Sequence, residues 1–373
     1  IGKYYGSISD GTMRVVYNPN TSHQWQFFSA KNASITNQFF MDTLGAPNPI
    51  SAGNQLWFVK ECFNALGIVG FFLFLLPFAC LLMKTPFFAG IQQEVPAPRP
   101  RPTDTKGKLV SAISLVLLAV IPGITVMPVF SKLAYGMIFT NAVANNSTDF
   151  FPQPGPNAIV IWALVNGLAA VAIFALGYLI YGKKHGDGPD NWGVKTTWAN
   201  VGKSALLAIL VTGVAYGFVL LADLFFTVDF RFWSFAIRAA EGNILALVPH
   251  YLPFMLVFWL ATSFMVNASA RTECKKEWHN TALCVVVNVI GLVALVVIQF
   301  AVLFSTGVAM WYANRAWVNI CLIIPFIPMM IVGTVLLRKC FKKTGTIYFG
   351  AFLMALVSTL IMVANANTIL RIR

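Results

Sequence analysis

The sequence predicts an all-α polytopic membrane bundle of about eight transmembrane helices, preceded by a short α/β segment. Two observations predict the bundle. The chain is 58% hydrophobic and only 10% charged over 373 residues, a balance too apolar for a water-soluble globule. Its apolar residues also gather into eight runs of about 20, the length a helix needs to cross the hydrocarbon core. A third observation, the turn signals and polar residues ahead of Cys62, sets the first 54 residues apart as a head.

The head reads as one strand, one loop and one helix. Thr12-Met13-Arg14-Val15-Val16-Tyr17 is β-favouring and follows the turn signal Asp10-Gly11. Asn18-Pro19-Asn20 closes that strand and opens a loop carrying Ser22, His23 and Gln24. A helix is expected from near Ser29 or Asn32, with Ile35, Phe39 and Phe40 on one face. Gly45 stops it, with Pro47 and Pro49 behind. Because the chain opens on Ile1, the head reads as the tail end of a longer soluble domain.

Residues 55–373 form the membrane domain. Asn54-Gln55-Leu56-Trp57-Phe58 supplies an aromatic anchor ahead of the first span. Spans are expected near Cys62–Met83, Leu109–Phe130, Ala158–Tyr181, Ser204–Phe226, Ile244–Met265, Thr281–Phe304, Val318–Leu337 and Ile347–Leu370. Pro122 and Pro128, Pro249 and Pro253, and Pro325 and Pro328 are expected to kink the second, fifth and seventh. Val95–Pro102, alternating proline with arginine, reads as an extended semi-rigid linker rather than a docking motif. Two loops share a short echo, Thr148-Asp149-Phe150-Phe151 and Val228-Asp229-Phe230-Arg231-Phe232.

The net charge of +13 would suggest nucleic acid in a soluble protein, but its placement excludes that partner. Sixteen basic residues, from Lys84 and Arg99 through Arg271 to Arg338 and Lys343, fall in loops after odd-numbered spans. The alternate loops hold four: Lys132, Arg231, Arg238 and Arg315. This positive-inside pattern predicts a plasma-membrane protein with the head and Arg371–Arg373 on the exoplasmic side. The six cysteines offer no pair placed for an exoplasmic disulfide and no metal-ligand spacing, so neither metal nor cofactor is expected.

The strand, the histidine loop and the final helix occur in the closing order of an α/β-hydrolase, where the catalytic histidine comes last. Gly11–Tyr17 followed by Ser22-His23-Gln24-Trp25-Gln26-Phe27-Phe28-Ser29 resembles the C-terminal end of dienelactone-hydrolase-like enzymes. Gln55-Leu56-Trp57-Phe58-Val59-Lys60-Glu61 and Asp229-Phe230-Arg231-Phe232-Trp233 resemble a membrane extension carried by some bacterial members. The resemblance implies a membrane-anchored serine hydrolase acting on an ester or acyl substrate outside the cytoplasm, with His23 as general base. Histidine suits that task because its unperturbed pKa lies near neutrality. The G-x-S-x-G nucleophile elbow of that class does not occur here, and Asp10 is a poor match for the acid because it precedes the last strand. The 373 residues therefore read as an inactive fragment of such an enzyme.

The alternative is a multi-span permease or sensor with a small exoplasmic head and no catalysis. His250, in the fifth span, and Asp223, ending the fourth, are its candidate substrate-binding residues, since ionisable groups in a bilayer are costly. Asp229, Arg231, Arg238 and Glu241 could line an outer vestibule with Asp223 or pair as interfacial charges. Asn166, Asn288 and Asn319 are placed to hydrogen-bond between helices. His185 and His279 read as loop and surface residues. The expected partners are the lipid bilayer and a small-molecule or lipid-like substrate; the oligomeric state stays open.

Overall fold

The computed structural model describes residues 1–22, 24–46, 48, 50–140, 146–274, 276–311 and 318–369. Pro47, Pro49, Arg315 and Arg371–Arg373 lie outside the described residues. The chain folds as two compact units. One holds Ile1–Ile68 with Phe230–Phe235, and the other holds Val69–Asp229 with Ala236–Arg373.

In the first unit, Tyr5 and Arg14 exchange both backbone hydrogen bonds, and Gly2 N–H donates to the Val16 carbonyl. The strand expected over Thr12–Tyr17 is thus reduced to a single antiparallel bridge. A two-stranded ribbon with no third strand among the described residues has little cooperative support. Helix α1 (Ala30–Leu44) forms as expected. Ser29 caps it by accepting from Asn32 N–H at 3.3 Å, and Gly45 at φ 78° ends it. Ile35 and Phe39 are half-buried, while Phe40 and Leu44 stay exposed. The polar runs between α1 and the first span are short, and the aromatic anchor Trp57 already lies inside that span's helix.

Among the described residues eight helices are long and apolar enough to cross a membrane, so this is a multi-pass membrane protein. The first is α2 (Trp57–Leu82), followed by the single turn α3 (Pro86–Ala89). The second is α4 (Thr105–Met127), which Asp104 caps and a π-helical stretch Pro128–Ile138 extends. The third and fourth are α5 (Pro154–Ile180) and α6 (Trp198–Phe226). A hairpin of β1 (Phe230–Phe232) and β2 (Phe235–Ile237) and the turn α7 (Gly242–Leu245) lead to the fifth, α8 (Val248–Phe264), which a π turn at Met265–Ser269 closes. The sixth is α9 (Glu277–Thr306). The seventh is split into α10 (Val318–Ile323) and α11 (Phe326–Thr344), and α12 (Tyr348–Asn365) is the eighth.

The spans agree in number and place with those expected, but the proline effects differ. Pro249 and Pro328 sit in the first turns of α8 and α11, where a missing N–H costs nothing, so they open helices rather than kink them. Pro325 marks the break between α10 and α11, and Pro128 opens the π stretch. The two echoing loops adopt different structures: Phe230–Phe232 is a strand, whereas Thr148–Phe151 is a bend closed by Thr148 N–H to the Phe151 carbonyl.

Within the second unit, α12 is central and packs on α8, α6 and α11, while α5 packs on α8 and α4, and α9 on α4 and α11. Spans α8, α11 and α12 are more than half buried along their apolar windows, whereas α4 and α9 are 11% buried and face lipid. That pair meets backbone to backbone. A Cβ at Gly123 would lie 2.3 Å from the Gly291 carbonyl oxygen, and one at Gly291 would lie 2.2 Å from that of Ala119. Small residues permit such approach in membranes, where packing rather than water expulsion drives association. All six cysteines are free.

Candidate functional site

His23 lies outside the described residues. Around its loop, Trp25 stacks on Trp233 with centroids 4.4 Å apart, and Trp233 Nε1 donates to the Gln24 carbonyl at 2.8 Å. Phe28 meets Trp57, Phe58 and Phe232 edge-on, so aromatic packing fixes the start of α1. Asp10 is exposed in the turn before the Arg14 bridge, where Ser9 Oγ donates to it at 3.2 Å.

The two candidate residues of the bundle are held by different neighbours. His250 sits in the first turn of α8, its ring parallel to Phe150 with centroids 4.0 Å apart. Its Nδ1 lies 2.7 Å from the Phe150 carbonyl oxygen. A carbonyl can only accept, so Nδ1 is the donor of this contact. Asp223 is exposed on α6, and its carbonyl accepts from Thr227 N–H, whose left-handed φ of 52° ends that helix. Arg238 pairs with Asp229 at 3.7 Å, and Tyr216 donates to the Arg238 carbonyl at 2.9 Å. At this end Arg238 and Asp229 thus pair, while Asp223 serves the helix end through its backbone carbonyl.

Sequence reading missed the hydrogen-bond network beside His250. Buried Tyr251 donates to Asn157 Oδ1 at 3.0 Å and accepts from Gln153 N–H at 3.2 Å. Gln153 Nε2 donates to the Val363 carbonyl and to Thr368 Oγ1. Asn157 Nδ2 donates to the Asn146 and Phe151 carbonyls. Three spans and their loop are tied by amides that look unremarkable in sequence, because nothing local pairs residues 98 or 210 positions apart.

At the basic end, two arginines counted as loop charges are buried. Arg338, 2% exposed, lies within α11 and donates to the Val266 carbonyl and Asn267 Oδ1, both at 3.0 Å, and it pairs with Glu277. Arg271, 6% exposed, donates to the carbonyls of Asn267, Pro96, Ala97 and Asn191. Burial draws its pKa down to about 10. The Val95–Pro102 segment is therefore a pinned strap and no free linker. Its extended prolines leave carbonyls bare, and Arg271 and a bridge from Arg99 to Thr272 hold them. His185 is exposed and stacks on Tyr181, and His279 is exposed beside Trp278.

The three asparagines bond to other helices: Asn166 to Thr125 at 3.1 Å, Asn288 to Thr334 at 2.8 Å and Asn319 to Ser131 at 3.4 Å. Asn166 and Asn288 also line a narrow cavity of about 60 Å³ between α4, α5, α8, α9 and α11, with Thr262, Trp162 and Cys284. Trp162 Nε1 donates there to the Pro122 carbonyl at 3.1 Å. Among the described residues no three His, Cys, Asp or Glu side chains could share a metal ion.

Fold and polar sites together define a class, the multi-pass α-helical membrane protein, with eight spans among the described residues. Comparison with known proteins carries it no further: no family model, curated protein or solved structure matches the chain.

Proposed function

We propose that this chain is the membrane-embedded part of a serine hydrolase of the α/β-hydrolase class, acting on an ester or acyl substrate outside the cytoplasm. The observation that carries the reading is the order of the head: a β bridge at Arg14, the loop bearing His23, then the capped helix α1. On this reading His23 takes the proton of a serine and returns it to the leaving group. The serine and the acid then lie outside these 373 residues, which contain no G-x-S-x-G. Exposed Phe27, Phe40 and Leu44 are consistent with a larger domain covering this side of the head. The basic asymmetry of the loops supports an exoplasmic head and C-terminus.

The test is labelling of the longest natural gene product by a serine-directed fluorophosphonate. A band that disappears in His23→Ala is expected; no labelling, or labelling unchanged in that variant, refutes the reading. Membrane-impermeant thiol labelling of Cys62 in intact cells tests the orientation.

A second reading, a permease or sensor, is favoured by the cavity lined by Asn166, Thr262 and Asn288 in the bundle. His250 and Asp223 would then bind substrate at one end. Transport or binding that survives both His250→Ala and Asp223→Ala removes them from that role.

A further inference from the structure

At the basic end, α4 and α5 part around a second cavity, of about 30 Å³, lined by Arg99, Ser111, Ser114, Tyr178, Tyr181 and Ser269. Leu115, Leu118 and Ile173 line both this cavity and the one described above, so the two adjoin as neighbouring pockets of a crevice. From Ser111 to Pro122 it follows α4 for roughly 16 Å at 1.5 Å per residue. Its mouth is polar and cationic, and its depth is apolar.

Arg99 is the unusual member. Its NH2 reaches Ser111 Oγ at 3.3 Å, and its NH1 stands 3.9 Å from Asp187, whose other oxygen accepts from Trp192 Nε1. Its Nε–H is buried without a partner. Burial lowers its pKa, with Asp187 and Tyr181 opposing only in part. A buried donor left unmade is costly, so the guanidinium is set up for an acceptor that the chain does not supply. Asp187 meets only NH1 and is shared with Trp192, and Asp104 is engaged with Tyr181.

We propose that this crevice binds an anionic phospholipid, its phosphate against Arg99, Ser111 and Ser114 and one acyl chain along Leu115, Leu118 and Ile173. Three features favour a lipid. Span α4 faces lipid, with Ile113, Val116, Leu117 and Val120 exposed beside the crevice. Lys106, Lys108, Lys183 and Lys184 surround the mouth region in sequence and add the field that attracts anionic leaflets. The crevice is also too narrow for a bulky solute but suits a single chain. A singly charged phosphodiester fits a mouth that holds one guanidinium and two carboxylates nearby better than a dianion does. This inference is independent of the hydrolase reading.

The full chain, purified in mild detergent, is exposed to phosphatidylglycerol, phosphatidylcholine or inorganic phosphate, and lipid adducts are counted by native mass spectrometry. Wild type is expected to retain phosphatidylglycerol at least fivefold over phosphatidylcholine, with inorganic phosphate unable to displace it. Arg99→Ala is expected to abolish that preference, and Leu118→Trp, which fills the apolar slot, to lower retention with the charge intact. Arg101→Ala, an exposed control, should change neither. Equal retention of the two lipids, an equal loss in Arg101→Ala, or displacement by phosphate alone overturns the proposal. Should Arg99→Ala fail to fold, Arg99→Lys and Ser114→Val decide: undiminished preference in both also overturns it.

Discussion

Arg338 donates to Asn267 Oδ1 at 3.0 Å, joining α11 to the π turn that closes α8 while the same guanidinium pairs with Glu277 at the start of α9. The bulge and the charge explain each other. A π turn frees carbonyls from the helical ladder, and a buried guanidinium needs such acceptors.

Arg338→Ala is expected to destabilise the bundle by about 3–5 kcal/mol, because it strands Glu277 and the freed acceptors around it. Pairing Arg338→Met with Glu277→Leu should recover most of that loss, since an apolar pair needs no desolvation. Thermal unfolding in detergent, followed by circular dichroism for wild type, Arg338→Ala and the double variant, measures both effects.

The contact between Gly123 and Gly291 leaves no space for a methyl group. Gly123→Ala or Gly291→Ala should cost roughly 1–3 kcal/mol by forcing α4 and α9 apart. Because each intrudes on the same contact, the double variant should cost less than the sum. A change equal to that at Gly213, where a Cβ meets open space, would contradict this.

Tyr181 donates to Asp104, which also caps α4 through Gly107 N–H. The tyrosine hydrogen bond holds the Asp104 carboxyl below its ordinary pKa, and the carboxylate in turn raises the Tyr181 phenol. The lowered acid contributes stability that is present above its unfolded pKa, about 3.9, and lost as pH falls through its folded value. The raised phenol contributes stability present below its unfolded pKa, about 10, and lost as pH rises through its folded value. Tyr181→Phe should therefore melt earlier than wild type at neutral pH, with the gap closing at both extremes. A gap constant from pH 3 to 11 would rule the pair out as a contributor.

In the head, Trp25 and Trp233 stack 18° from parallel, and Trp233 holds a left-handed φ of 51°. Trp233→Ala should loosen the head by about 1–2 kcal/mol. Faster trypsin cleavage at Lys31, with the membrane spans intact, is the expected sign.

The spans were legible in sequence because lipid demands long apolar helices whatever they pack against. Helix α1 was legible too, since Ser29 and Gly45 act within one turn of its ends. The polar networks were not. Arg338 and Arg271 sit where charge counting assigns them to loops, and only the fold reveals that they are buried. Gln153 reaches Val363 across 210 residues, a pairing that no local pattern announces. The strand expected at Thr12–Tyr17 shrank to one bridge because β-propensity depends on neighbouring strands.

The burial of α12 also bears on how the protein is made. It follows the other seven spans of the described residues in the chain, yet it is the one around which α6, α8 and α11 pack. Those three helices must therefore wait in the bilayer, with Trp259 lacking the Ser358 hydroxyl to which its indole N–H later donates at 2.8 Å. A nascent chain stalled before Tyr348 leaves the facing sides of α6, α8 and α11 uncovered, and quality-control proteases should recognise it as unfinished.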